Sequence, residues 1–141
     1  MTLLDTDTFT LWHREREKVV ARVAAARAGG EEIALPAFVR AQALRGRLDG
    51  LLKAGTPDDV IRMQAALDEL ETKLAAFRVV PFDDAAAAIF ARLNAVKSLK
   101  KAGLADLLIA CVALAHDATL VTRNTKDFQG VPNLKLENWA D

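Results

Sequence analysis

Five short apolar pieces limit how this chain can fold. Leu3-Leu4, Ile33-Ala34-Leu35, Val79-Val80, Thr119-Leu120-Val121 and Leu134-Lys135-Leu136 are each too short for a helix. Each reads as a strand, most of them buried on both faces. Helical periodicity fills the intervals. Val60, Met63, Leu67, Leu70, Leu74 and Phe77 make one apolar stripe of a long helix. Thr56 can cap that helix, Pro57 fits its first turn, and Asp58 and Asp59 suit its positive dipole end. Further helices are expected from about Phe9 to Arg27, from Pro36 to near Gly50, from near Asp83 through Ile89, Leu93 and Val96, and from about Leu104 to His116. The polar stretch from Arg45 to Asp59 is expected to form a mobile hairpin between two helices. Strand and helix alternate, which predicts a three-layer α/β sandwich around a short, mostly parallel sheet.

The chain has 141 residues, so a single domain over 1–141 is expected. At 52% hydrophobic it can bury a sizeable core. Lysine plus arginine and aspartate plus glutamate both total 19, for a formal net charge of zero. That balance excludes a strongly basic nucleic-acid coat and an acidic solvating tail. It does not exclude a nucleic-acid substrate, because setting aside the acids assigned to a site below leaves a mildly basic remainder. The lone Cys111 excludes an intramolecular disulfide framework and reads as a small core residue. No basic leader segment precedes the first strand and no apolar run is long enough to cross a bilayer, so a soluble, cytoplasmic protein is expected.

In open parallel sheets, sites form beyond the carboxyl ends of the strands. Asp5-Thr6-Asp7 follows the first piece, and Thr122-Arg123-Asn124-Thr125-Lys126-Asp127 follows the fourth. Asp106 stands near the start of the helix before that fourth strand, in an otherwise apolar stretch. Singly, each acid has an ordinary explanation. Asp7 is best read as the N-cap of the first helix, Asp5 and Asp127 as turn acceptors, and Asp106 as a complement to a helix dipole. Together they are costly, since converging carboxylates repel and one would hold its proton. A hard divalent cation, Mg²⁺ or Mn²⁺, bound by Asp5, Asp106 and Asp127 removes that cost. Such a cluster suits phosphodiester hydrolysis. No glycine-rich phosphate loop or nucleophile elbow competes with it, and His13 and His116 have no evident nucleophile partner.

Four segments in order resemble the PIN-domain proteins, and within them the VapC-type toxin ribonucleases. Leu3-Leu4-Asp5-Thr6-Asp7 resembles the family's opening LLDTN or LLDTD. Ala105-Asp106-Leu107-Leu108-Ile109-Ala110, followed by Ala113-Leu114-Ala115, resembles NDLLIA…AL. Leu120-Val121-Thr122-Arg123-Asn124-Thr125-Lys126-Asp127-Phe128 resembles LVTRNTRDF. Val131-Pro132-Asn133-Leu134 with Glu137-Asn138-Trp139 resembles the VPGL…ENW ending. The resemblance implies a metal-dependent endoribonuclease toxin, dimeric and held inactive by a cognate antitoxin. It carries the family's acids to Asp5 and Asp106. The fourth acidic position falls on Asn124 or Asp127, and Asp127 keeps the carboxylate. Thr122 and Asn124 would orient it or hold a water, with Thr6 and Asp7 supporting Asp5.

One position departs from the family. Where a glutamate normally stands four residues before the glycine matched by Gly46, this chain has Gln42. Glutamine keeps a carbonyl oxygen but brings no charge and cannot act as a base, so reduced metal affinity and activity are expected. The alternative is a catalytically degenerate PIN scaffold that binds antitoxin or RNA without cutting. Arg45 and Arg47, near Gln42, are the expected RNA contacts. The edge of the Val60–Phe77 stripe could grip an antitoxin helix. A receiver-like signalling domain also has acids near its first strand. It ranks low, because Pro36 and Pro81, rather than a phospho-accepting aspartate, follow the second and third pieces.

Overall fold

Each short apolar piece becomes a strand of one sheet. In the computed structural model, residues 1–96, 99 and 102–141 are described. The order is β1 (Thr2–Leu4), α1 (Thr6–His13), α2 (Glu17–Ala28), β2 (Ile33–Pro36), α3 (Ala37–Leu52), α4 (Pro57–Leu74), β3 (Arg78–Val80), α5 (Asp84–Leu93), α6 (Gly103–Ala115), β4 (Thr119–Val121), α7 (Thr125–Phe128) and β5 (Lys135–Glu137). The strands run β3-β2-β1-β4-β5 and every pairing is parallel. A parallel sheet needs crossovers, and right-handed ones place helices on both faces. The result is the three-layer α/β/α sandwich. The strand order also differs from the 2-1-3-4-5 order of receiver-like folds, which removes that alternative.

Burial follows position in the sheet. β1 and β2 are wholly buried and β4 nearly so, while the edge strands β3 and β5 are partly exposed. Leu3, Leu4, Leu35 and Leu120 are fully buried, joined by Phe9 of α1, Val19 and Val23 of α2, and Ile109 to Ala113 of α6. Cys111 lies among them, and burial pushes its thiol up to about 11, the state of an inert packing residue.

Four expectations need correction. The early helix is two helices. Glu15 adopts φ 59°, in the left-handed region, and breaks the run between His13 and Glu17. The break falls in a charged stretch with nothing to bury, and it lets Phe9 and Val19 both reach the core. The stretch from Arg45 to Asp59 is mostly helix, since α3 continues to Leu52 and α4 starts at Pro57. The stripe from Val60 is core only at its far end. Leu70, Leu74 and Phe77 are buried, but Val60 is 46% exposed, because α4 begins beyond the sheet and packs on α3. The helix after Asp83 stops at Leu93, leaving Val96 outside it.

The caps were readable. Thr56 accepts the amide N–H of Asp59 at 3.1 Å, and Asp83 accepts that of Ala86 at 3.0 Å. At α6 no side chain caps; the helix opens instead on Gly103 at φ +82°. This conformation is costly for any residue with a Cβ, and it sets the entry of the helix that carries Asp106. Gly103→Ala is therefore expected to lower stability by about 1–2 kcal/mol. The check is a lower urea midpoint at unchanged slope.

Candidate functional site

β1 and β4 lie side by side with Leu4 opposite Val121, so Asp5 and Thr122 leave the sheet together. The sheet order reverses between these strands. The chain builds outward through β2 and β3, then returns to the other side of β1. Ligands in open α/β sheets bind in the crevice at such a reversal.

Asp5 is 6% exposed. Its Oδ1 accepts the Thr8 amide N–H at 2.8 Å and caps α1. The cap is thus Asp5, not Asp7, which is exposed in the first turn. The Thr8 hydroxyl donates to the Val121 carbonyl at 3.2 Å, and the Asp5 amide donates to the same carbonyl at 3.0 Å, locking α1 onto β4. Burial raises the Asp5 carboxyl above its usual range, hydrogen bonds with Thr122 and Thr8 hold it back, and the charge of Asp7 adds a small further rise.

Asp106 sits in the first turn of α6, half-buried. Its carboxyl is pushed up to about 6, first by burial and then by the negative charges of Asp5, Asp127 and Asp7. The charges acting on it are all of one sign. Asp127, in α7, is exposed and accepts a hydrogen bond from the Asn124 side-chain amide. The Asn124 backbone N–H donates to the Thr122 hydroxyl at 3.1 Å, so Thr122, Asn124 and Asp127 form one chain of contacts from β4 into α7. Gln42 reaches the same corner from α3, where its Oε1 accepts the Thr6 hydroxyl. Folding thus brings Asp5, Thr6, Asp7, Gln42, Asp106, Thr122, Asn124 and Asp127 to one end of the sheet from four separate segments.

The two arginines expected to meet RNA part company. Arg45 is 83% exposed and leans towards Asp49 at 3.9 Å, whereas Arg47 turns to the His13 ring at 3.4 Å. His13, with Arg14 and Thr10, lines a cavity that also touches Thr6 and Gln42. Sequence reasoning set His13 aside. The spacing Thr6, Thr10, His13 and Arg14 was the available signal, since residues three and four apart share a helix face.

The donor set is entirely oxygen: three carboxylates, an amide carbonyl and hydroxyls. That chemistry, with an uncompensated cluster of negative charge, fits a hard divalent cation. Among the described residues, no three acidic, histidine or cysteine side chains already form a closed metal cage. The three carboxylates would have to draw together around an ion.

Comparison with known proteins gives the class. The PIN-domain family model matches residues 2–134, and the chain belongs to that family. The Neisseria gonorrhoeae protein Toxin FitB is 30% identical over 145 residues, with all of both chains covered. Ribonuclease VapC2 of Rickettsia felis is 65% identical over 34 residues, a match spanning only 24% of this chain and 25% of that protein. In a crystal structure of Rickettsia felis VapBC2 bound to a promoter DNA fragment, the matching chain superposes with a TM-score of 0.77 at 26% identity, covering 98% of each chain. Neisseria gonorrhoeae FitAcB gives 0.70 at 26% identity, covering 98% of this chain and 97% of that one.

The raised Asp106 pKa has a stability consequence. The folded state holds this proton more tightly than the unfolded state, whose carboxyl keeps its ordinary value of 3.8. Stability is therefore lost as pH rises from near 4 through about 6. Without metal, Asp106→Asn should melt above the parent at neutral and alkaline pH, and the two melting temperatures should converge near pH ~4. Differential scanning calorimetry in chelator checks both.

Proposed function

We propose that this protein is a divalent-metal-dependent endoribonuclease toxin that hydrolyses RNA phosphodiesters and is restrained by a cognate antitoxin. The observation that carries the reading is that acids from the end of β1 and from α6 and α7 come to the crevice where the sheet order reverses, close enough for the charges of Asp5 and Asp127 to act on Asp106. Asp5, Asp106 and Asp127 would hold Mg²⁺ or Mn²⁺. A cation bound there supplies an acidified water and neutralises charge developing on the phosphate. The protein's own groups hold this arrangement. Thr8 and Thr122 fix Asp5, Asn124 fixes Asp127, and Thr6 fixes the Gln42 carbonyl. In the free protein Asp106 keeps a proton in mild acid, so protons compete with the cation, and metal should bind more weakly below pH ~6.

Partners follow from the relatives. The relative FitB is named a toxin, and the structural neighbour VapBC-5 of Mycobacterium tuberculosis is a member of the VapBC family of toxin–antitoxin systems. In this chain Leu48, Leu52, Val60 and Ile61 leave apolar surface exposed along α3 and α4, which suits an antitoxin helix. Phe82 before α5, Val96 after it and Leu104 in the first turn of α6 are also exposed, apolar surface that a homodimer contact would cover. Among the described residues no helix is long and apolar enough to cross a membrane.

Gln42 favours a second reading, a PIN scaffold that binds antitoxin or RNA without cutting. RNA cleavage with Mn²⁺ and with chelator separates the two, together with calorimetric metal titration. For the enzyme, cleavage should need metal and rise in Gln42→Glu. A protein that stays inert after Gln42→Glu, or cuts equally in chelator, is not this enzyme. Mn²⁺ binding seen only in Gln42→Glu would support the degenerate scaffold.

Asp5 allows structure and chemistry to be tested apart. Asparagine caps helices as well as aspartate does, so Asp5→Asn should keep the fold and lose activity by roughly a hundredfold or more. Asp5→Ala should lose about 1 kcal/mol of stability as well. Urea unfolding measured beside the cleavage assay distinguishes them.

A further inference from the structure

A cavity of about 280 Å³ opens between α1 and α3, lined among others by Thr6, Thr10, His13, Arg14, Gln42 and Arg47. Its size falls just under the range of small-ligand pockets, ~300–1,000 Å³, so it suits one monomer unit and not an extended ligand. Thr6 and Gln42 form its wall towards the acids and are also the pair joined beside Asp5. The cavity therefore continues the acidic crevice, with opposite charge.

Its far side is basic and open-handed. Among the described residues neither Arg14 nor Arg47 pairs with a carboxylate, while Arg45, on the same helix, is shared with Asp49. Arg47 sits against His13 Nε2, and His13 Nδ1 is buried with no hydrogen-bond partner. Burial and then the charge of Arg47 lower the His13 pKa, against a smaller rise from Glu69, which favours the neutral ring. With Nε2 turned to the guanidinium as acceptor, Nδ1 carries the remaining N–H. The ring lies parallel to Phe9, at an interplanar angle of 4°, which fixes its plane. Two guanidiniums free of carboxylate partners among the described residues, beside an imidazole of fixed plane, present the donor chemistry that binds phosphate.

We propose that this cavity is a subsite for single-stranded RNA, taking the nucleotide next to the scissile phosphate, with Arg14 and Arg47 on its backbone phosphate and His13 positioning Arg47. The inference rests on the ribonuclease reading for which phosphate is cut, but not for binding. A strand held at the acids that continues past the Thr6–Gln42 wall enters the cavity, where the cationic groups lining it are these two. An acidic protein segment would satisfy the guanidiniums but has no reason to span the acidic cluster as well. A phosphodiester chain does, because a cation at the acids would bind one phosphate while the arginines bind the next.

Gly46 provides a variant that fills the cavity without harming the fold. It lines the cavity one helical turn beyond Gln42, and a Cβ built there meets nothing within 4 Å. Replacing a glycine inside α3 also favours the helix by up to about 1 kcal/mol for alanine. The experiment is fluorescence anisotropy of the full chain with a short labelled single-stranded oligoribonucleotide in chelator, so that binding is read without cleavage. Arg14→Gln and Arg47→Gln should each weaken binding about tenfold and reduce the salt dependence by roughly 0.7 of a charge. Arg45→Gln, with the same loss of charge, should change it less than about twofold. Gly46→Leu should weaken binding while the melting temperature is kept.

Equal losses in Arg45→Gln and Arg47→Gln, full binding by Gly46→Leu, or no RNA binding by the parent would each overturn the subsite. So would Arg47-dependent binding of oligoglutamate with RNA binding unaffected, which would give the cavity to a protein carboxylate. The two readings fail separately. Cleavage with metal but unchanged affinity in the cavity variants removes the subsite alone. Cavity-dependent RNA binding in a protein that never cuts removes the ribonuclease alone.

Discussion

The structure depends on one buried carboxylate. Asp5 ends the central strand and begins α1, and it is nearly inaccessible to solvent. A carboxylate there is tolerated because Thr8 and Thr122 hydrogen-bond it and the α1 N-terminus faces it. Those contacts also fix the local geometry. Thr8 ties α1 to the Val121 carbonyl, and Thr122 carries the contact on to Asn124 and Asp127. The group that stabilises the junction of β1, α1 and β4 is also the group that would hold the proposed cation.

The remaining acids are less well compensated, and that imbalance is the functional signal. Asp106 has only negative neighbours acting on it. A cation would relieve the repulsion, and the energy lost in the free protein would return as metal affinity. Gln42 bears on the same balance. A neutral amide lowers the repulsion felt by Asp106 while still holding the Thr6 hydroxyl. Relative to a glutamate, it would favour the metal-free state and weaken the attraction for the proposed cation. Beyond Gln42 the cavity is lined by Arg14 and Arg47 and, among the described residues, by no carboxylate, so the acidic crevice and the His13–Arg47 corner are adjoining surfaces of opposite charge, a combination suited to a polyanion that carries a cation at one end.

Much of this was legible along the chain. Strand pieces too short for helix, separated by helical periods, were sufficient for a parallel α/β sheet. Thr56 and Asp83 marked their helix starts because a cap is a contact between residues three apart. Asp5, Asp106 and Asp127 stood out because acids at strand ends and in an apolar run are costly. The errors share a cause. The break at Glu15, the capping role of Asp5 over Asp7 and the exposure of Val60 depend on where elements sit relative to the sheet. Periodicity does not carry that information.

The sequence by itself determined the alternation of elements, the family and the set of acids, because these follow from local patterns and from motifs in order. The tertiary structure alone decided which groups meet. Strand order put β4 beside β1, so Thr122 adjoins Asp5 across more than a hundred residues of chain. Packing of α3 beside α1 turned Arg47 to His13 and left Arg45 in solvent, although both lie on one short stretch of helix. At ~100° per residue, two positions on a helix point to nearly opposite sides, and only the neighbouring helix decides which side is the site.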